Sequence, residues 1–234
     1  MPYLTTLPAP PLVLPLEPLT PTSFAPFGTV IVSPPSPTTR SLLVNQGSAT
    51  KHPQISPFIS TYPTTSPAAS SNLNLFICRP RTLTPSGEYL CTVLERHPYT
   101  SQTFTPLPGP RPKSHNGGDR NRDEDPVRWV VIVAPTREET VEDVERGVGE
   151  KGRRGLPDLE RMRAFVVGEE EAKAVTYAPG TWHAPMVVVG RREIGFIVAV
   201  NENGVGKEDL EEVRIEGGVR VRVEMGGRLW KAKL

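Results

Sequence analysis

A chain of 234 residues with 27 Lys and Arg against 26 Asp and Glu carries a formal charge of +1, so no net field draws it to a nucleic-acid backbone. Its longest unbroken apolar stretch, 129–134, is far short of the roughly 20 residues that span a bilayer, and prolines at 2, 8, 10 and 11 interrupt the N-terminus where a secretory signal needs a continuous apolar run. The composition points to an intracellular protein of one domain, in which Cys78 and Cys91, lacking metal spacing, stay as packed thiols.

Twenty-seven prolines and 20 glycines separate short apolar runs rather than long helical periods, the pattern of a mostly β chain. In chain order, strands are expected at 29–32, 40–45, 73–78, 89–94, 102–107, 128–134, 162–167, 174–177, 186–189, 195–201 and 219–224. Two short peripheral helices are expected at 138–146 and 207–213. Segments 53–71, 108–126 and 148–155 read as mobile insertions, so the domain expected is a single β-barrel over 1–234 with loops added to it. Ligands of such barrels bind at the mouth. The last three residues, Ala232, Lys233 and Leu234, are a variant of the Ser-Lys-Leu peroxisomal address, which leaves cytoplasm and peroxisome as expected locations.

The chemistry-bearing residues gather in two segments. In LERHPYTSQTF (94–104) alternate side chains of an extended chain share a face, so Glu95 and His97 point one way, with Val93 and Cys91 behind them; Gln102 opens the next strand. In YAPGTWHAPMVVVG (177–190) a glycine turn delivers His183 between an aromatic residue and an apolar strand. The order Glu95, His97, Gln102, Gly109 has the spacing that cupins use for two histidines, a glutamate and a glycine, and Gly180 to His183 fits their second segment. Two of the usual ligand types are replaced here. Two imidazoles and a carboxylate suit a divalent metal such as Ni, Mn, Fe or Zn, with Gln102 a weak neutral ligand. Tyr177 and Trp182 can equally be core aromatics whose polar tips are hydrogen-bonded. A Gly-x-Ser-x-Gly elbow and a phosphate-binding loop are both missing from the sequence.

With FAPFGTVI (24–31), VNQG (44–47) and PDLERMRAFVVG (157–168), these segments resemble the ureidoglycolate lyase family, the likeness running from residue 24 to about 213. The resemblance implies a cupin-like double-stranded β-helix barrel, commonly a homodimer, that splits (S)-ureidoglycolate into glyoxylate and urea in allantoin catabolism. Many members carry two adjacent histidines after the tryptophan; here His183 is followed by Ala184. The reaction so implied needs a base, an acid and an anion clamp. His97 or Glu95 is expected to take the hydroxyl proton, and His183, supported by Tyr177, to donate to the departing urea nitrogen. Arg79 is the candidate for the substrate carboxylate, assisted by Asn45, with Gln102 and Trp182 also expected at the substrate. The rival readings are a cupin that binds a small metabolite without chemistry and a different metal-dependent cupin enzyme.

Overall fold

Apolar and alternating runs sort the strands into two sheets. A computed structural model describes residues 3–34, 40–107, 127–137, 155–168, 171–225 and 228–229. The proline-rich start supplies β1 (Thr5–Pro8), β2 (Val13–Leu14), β3 (Leu16–Pro18), one helical turn α1 (Pro21–Phe24) and β4 (Gly28–Val32). A hairpin of β5 (Leu42–Val44) and β6 (Ala49–Lys51) precedes β7 (Ser70–Cys78), β8 (Glu88–Arg96), β9 (Gln102–Pro106) and β10 (Arg128–Ala134). Then come β11 (Arg163–Gly168), β12 (Lys173–Tyr177), β13 (Trp182–His183), β14 (Val187–Val189), β15 (Ile194–Glu202), the turn α2 (Gly206–Asp209), β16 (Glu211–Arg222) and the hairpin of β17 (Glu224–Met225) and β18 (Arg228–Leu229).

The larger sheet runs β1-β16-β8-β13-β10-β11-β3, with β14 also on β10 and β2 on β16; the smaller runs β4-β12-β9-β15-β7. β10 reads RWVVIVA and is buried along its whole length. A strand with so few polar side chains must be covered on both faces, and this one is. Trp129, Val131 and Val133 pack with Phe104, Val175, Phe196 and Val198 of the smaller sheet, while Val130, Ile132 and Ala134 pack in a second core with Leu94, Trp182, Val213 and Val221. Full burial of such side chains contributes about 1.5–3 kcal/mol each. β15 is the alternating case: Ile194, Phe196, Val198 and Val200 turn inward, and Gly195, Ile197 and Ala199 are half-covered on the other side.

Three expectations change. Among the described residues the strands form two facing open sheets rather than one closed barrel, because β1, β3, β4 and β7 end the two strand orders without joining. The helix expected at 207–213 shrinks to α2, since Glu211 begins the long β16, where Val213 and Ile215 are buried. The segment 53–71 is tied down instead of hanging free: Ile59 N–H donates to Ser101 Oγ (2.8 Å), Ser101 N–H to the Ile59 carbonyl (3.0 Å) and Thr61 N–H to the Tyr99 carbonyl (2.8 Å). The insertion at 108–126 with Gly109, the helix at 138–146, nearly all of 148–155 and the final tripeptide lie outside the described residues. Among the described residues no helix is long and apolar enough to cross a membrane.

Candidate active site

Strand register brings the two chemical segments together. His183 on β13 is the direct partner of Glu95 on β8 and of Val133 on β10, so these side chains stand on the same face, toward the smaller sheet. Glu95 Oε1 lies 3.5 Å from His183 Nε2. His97, two residues on from Glu95, points to the same place as the alternation requires: one ligand atom each from Glu95, His97 and His183 fall within 4.8 Å of one another. Gly180 makes the turn that allows this. It holds φ +76°, a left-handed conformation natural to glycine, and its N–H donates to the His97 carbonyl at 2.8 Å, stitching one segment to the other.

Both imidazoles are oriented by carbonyls. His97 Nδ1 lies 2.7 Å from the Asp209 carbonyl and His183 Nδ1 2.9 Å from that of Thr181. A carbonyl only accepts, so Nδ1 carries the proton in each ring and the neutral form keeps its lone pair on Nε2. Each Nε2 is buried and, among the described residues, has no hydrogen-bond partner, His183 Nε2 keeping only its 3.5 Å approach to Glu95; Gln102 Oε1 is likewise buried and unpartnered among them. Tyr177 lies flat on His183, with ring centres 4.0 Å apart and planes 11° apart, and Gln102 is its cross-strand partner. β4 can approach Tyr177 because residue 28 is glycine; a Cβ there would sit 1.9 Å from the Thr176 carbonyl oxygen.

Electrostatics separates the groups. Burial first, then the neighbouring His183, pushes His97 down to about 4, against the pull of Glu95 and the Asp209 carbonyl, so it is neutral near pH 7. Burial alone would raise Glu95, but contact with His183 and the nearness of His97 outweigh it and hold the carboxyl below its ordinary value. Burial, then the charge of Glu95, drives Tyr177 upward, and its phenol stays protonated. A neutral imidazole acceptor and an anionic carboxylate touching a second imidazole thus share one space.

A cavity of about 810 Å³ opens onto Glu95 and is lined by Cys78, Arg79, Arg81, Phe104 and Met186. Arg79 lines it with its side chain 85% exposed and 4.0 Å from Glu193. Arg81 was not foreseen; its guanidinium carbon stands 5.7 Å from the centre of the Tyr89 ring at the same cavity. Two expected members fall elsewhere. Trp182 turns to the opposite core, where its indole N–H donates to the Gly155 carbonyl (3.2 Å), because neighbours on a strand face opposite ways. Asn45 is exposed at the tip of the β5-β6 hairpin. Cys91 also belongs to the opposite core with Leu94; β8 loses its alternation where four residues of β16 bulge past Thr92. Ala184 lies in that core as well, so a second histidine at this position would not face His97. The carbonyls of Asp209 and Thr181 escape sequence reasoning because backbone groups leave no residue-type signal.

The structure is thus that of a mostly β protein with two facing sheets and a buried cluster of one carboxylate and two imidazoles. The chain belongs to the ureidoglycolate lyase family, whose model matches residues 11–222. It is 30% identical over 213 residues to a ureidoglycolate lyase of Schizosaccharomyces pombe (88% of this chain, 94% of the relative). To one of Saccharomyces cerevisiae it is 33% identical over 202 residues (80% and 85%), and to one of Burkholderia mallei 29% over 199 residues (85% and 88%).

Proposed function

We propose that this chain cleaves (S)-ureidoglycolate to glyoxylate and urea in purine catabolism, and that the convergence of Glu95, His97 and His183 on one buried space carries the reaction. The substrate is a hemiaminal: one carbon bears a hydroxyl, a carboxylate and a ureido nitrogen. Loss of the hydroxyl proton lets the C–O bond become a carbonyl as the C–N bond breaks, and the urea nitrogen takes up a proton.

His97, neutral and with its Nε2 lone pair unclaimed, accepts the hydroxyl proton. His183, whose Nε2 stands 3.5 Å from Glu95 Oε1, is the group placed to deliver the proton to urea, while Tyr177 holds its ring plane. Positioned transfers of this kind contribute about 10² to 10⁴-fold each. Arg79 at the cavity mouth matches the substrate carboxylate bidentately, and Gln102 offers a buried amide to the ureido group. Incubating the purified chain with racemic ureidoglycolate tests the proposal; equal amounts of urea and glyoxylate are expected, from one enantiomer only.

A second reading rests on the same orphaned atoms. The two Nε2 atoms and the Glu95 carboxylate, one ligand atom each within 4.8 Å of the others, form a donor set that would suit a divalent ion such as Ni, Mn or Zn, with Glu95, His97 and His183 as the residues that would hold it and Gln102 as a further neutral candidate. An ion there would lower the pKa of the substrate hydroxyl and would polarise the nascent aldehyde. Metal analysis of the purified protein, with activity measured before and after chelation, separates the two readings.

The packing of two facing sheets, antiparallel apart from β1, β2 and β3, with candidate ligand groups between them supports assignment to the cupin-like double-stranded β-helix class. A homodimer is proposed through the edge strand β7, whose Leu73, Leu75 and Ile77 are exposed and whose whole length from residue 70 to 78 is uncharged, so two copies meet there without repulsion. Sedimentation of the wild type and of Leu75→Lys tests it: dimer and monomer, respectively, are expected.

A further inference from the structure

The back of the site holds a buried ion pair that the reaction does not touch. Arg96 sits in the chain between Glu95 and His97, and its side chain points the other way, 2% exposed. Its Nε donates to Glu211 Oε2 at 2.7 Å, Nη2 lies 2.7 Å from the same oxygen, and Nη1 donates to the Gly155 carbonyl at 2.9 Å. The guanidinium covers the Trp182 ring at 4.4 Å, and the Trp182 indole N–H donates to that same Gly155 carbonyl.

Each partner is a short step along the chain from an atom that orients an imidazole. Glu211 follows by two residues the Asp209 carbonyl that accepts from His97 Nδ1. Trp182 stands between His183 and the Thr181 carbonyl that accepts from His183 Nδ1. One planar cation therefore ties together the segment carrying Glu95 and His97, the segment carrying His183, and the strand start that aims His97.

A buried ion pair is a poor source of stability, since desolvating two charges offsets most of their attraction. A fixed fork that bonds a carboxylate and a carbonyl at set angles while stacking on an indole is, by contrast, a good spacer, and lysine does not reproduce it. We propose that Arg96 is a positioning residue, and that the Arg96–Glu211–Trp182 assembly sets the relative placement of the His97 and His183 rings. This inference deepens the reading of the site given above and rests on it.

The test replaces the pair by apolar residues of similar size, Arg96→Met with Glu211→Leu, and pairs it with the milder Arg96→Lys, which keeps the charge if the double variant does not fold. Loss of positioning predicts a kcat lower by about 10- to 100-fold in a folded variant, with KM little changed. Guanidinium ion at millimolar concentration is expected to restore part of the rate to Arg96→Ala. Wild-type kcat in a folded double variant, or in Arg96→Lys when only that variant folds, overturns the proposal. The imidazole Nδ1–H resonances of His97 and His183 provide a readout independent of turnover: both are expected to shift in the variants, and unchanged resonances overturn the positioning role. A wild type that releases no urea from ureidoglycolate, with those resonances still displaced in the variants, would instead count against the assigned reaction.

Discussion

Tyr177 lies parallel to His183 at 4.0 Å, closer than either histidine ring is to the other, whose centres are 5.8 Å apart. The phenol ring stacks face to face on the imidazole, a contact that the ring makes without its hydroxyl. Tyr177→Phe is expected to keep both the fold and most of kcat. Tyr177→Ala removes a fully buried ring and is expected to cost about 3–5 kcal/mol in denaturant unfolding, with kcat falling well below that of Tyr177→Phe.

His97 gives the fold a pH dependence whose sign follows from its environment. Its folded-state value of about 4 lies below the ordinary 6.5. Between these values the unfolded chain binds a proton that the folded chain refuses. The contribution of His97 is therefore complete above about pH 6.5 and is lost as pH falls toward 4, amounting to about 3 kcal/mol at most. In protein stripped of metal by chelation, the urea midpoint of the wild type is expected to drop further between about pH 7 and about pH 4.5 than that of His97→Gln. Parallel drops would show that His97 is not buried as described.

The two thiols differ in their surroundings. Cys91 is wholly buried, and burial pushes it up to about 12, so almost no thiolate exists near pH 8. Cys78 is also raised by burial, but it is half-exposed and lines the cavity, with Arg81 pulling the other way. A thiol reagent is expected to label the folded chain at Cys78 alone, and Cys78→Ser to abolish labelling until denaturant is added. Mass spectrometry of the labelled peptides decides it.

Arg79 and Arg81 both border the cavity, and steady-state kinetics distinguishes them. A guanidinium that holds the substrate carboxylate equally in ground and transition states affects KM: Arg79→Met is expected to raise KM by about 10- to 100-fold with kcat largely kept. The same effect in Arg81→Met, with Arg79→Met unaffected, would move the carboxylate clamp to Arg81.

Much of the fold was legible because period and composition speak directly. The run 128–134 is strand β10 to the residue, and the alternating segments around 73–78 and 89–94 are β7 and β8, extended at their ends. The i, i+2 spacing of Glu95 and His97 puts their ligand atoms together with that of His183, while Gln102, on the separate strand β9, is buried as the cross-strand partner of Tyr177. Legibility failed where long-range pairing overrides local signals. The prolines of 5–18 hid three strands that pair in parallel at the margins of the larger sheet, contacts that depend on residues 164–166, 213–216 and 220–221. The helical composition of 207–213 yielded to pairing of β16 with β8. The opposite orientations of Trp182 and His183 follow from strand alternation, but only once β13 is known to be a strand.

Urea released from ureidoglycolate by the His97→Ala variant, set against wild type at equal folded concentration, reaches the centre of this account. The geometry predicts a wild type that forms urea and glyoxylate in equal amounts and a folded variant slower by about 10² to 10⁴-fold. Near-normal urea release by the variant would contradict it.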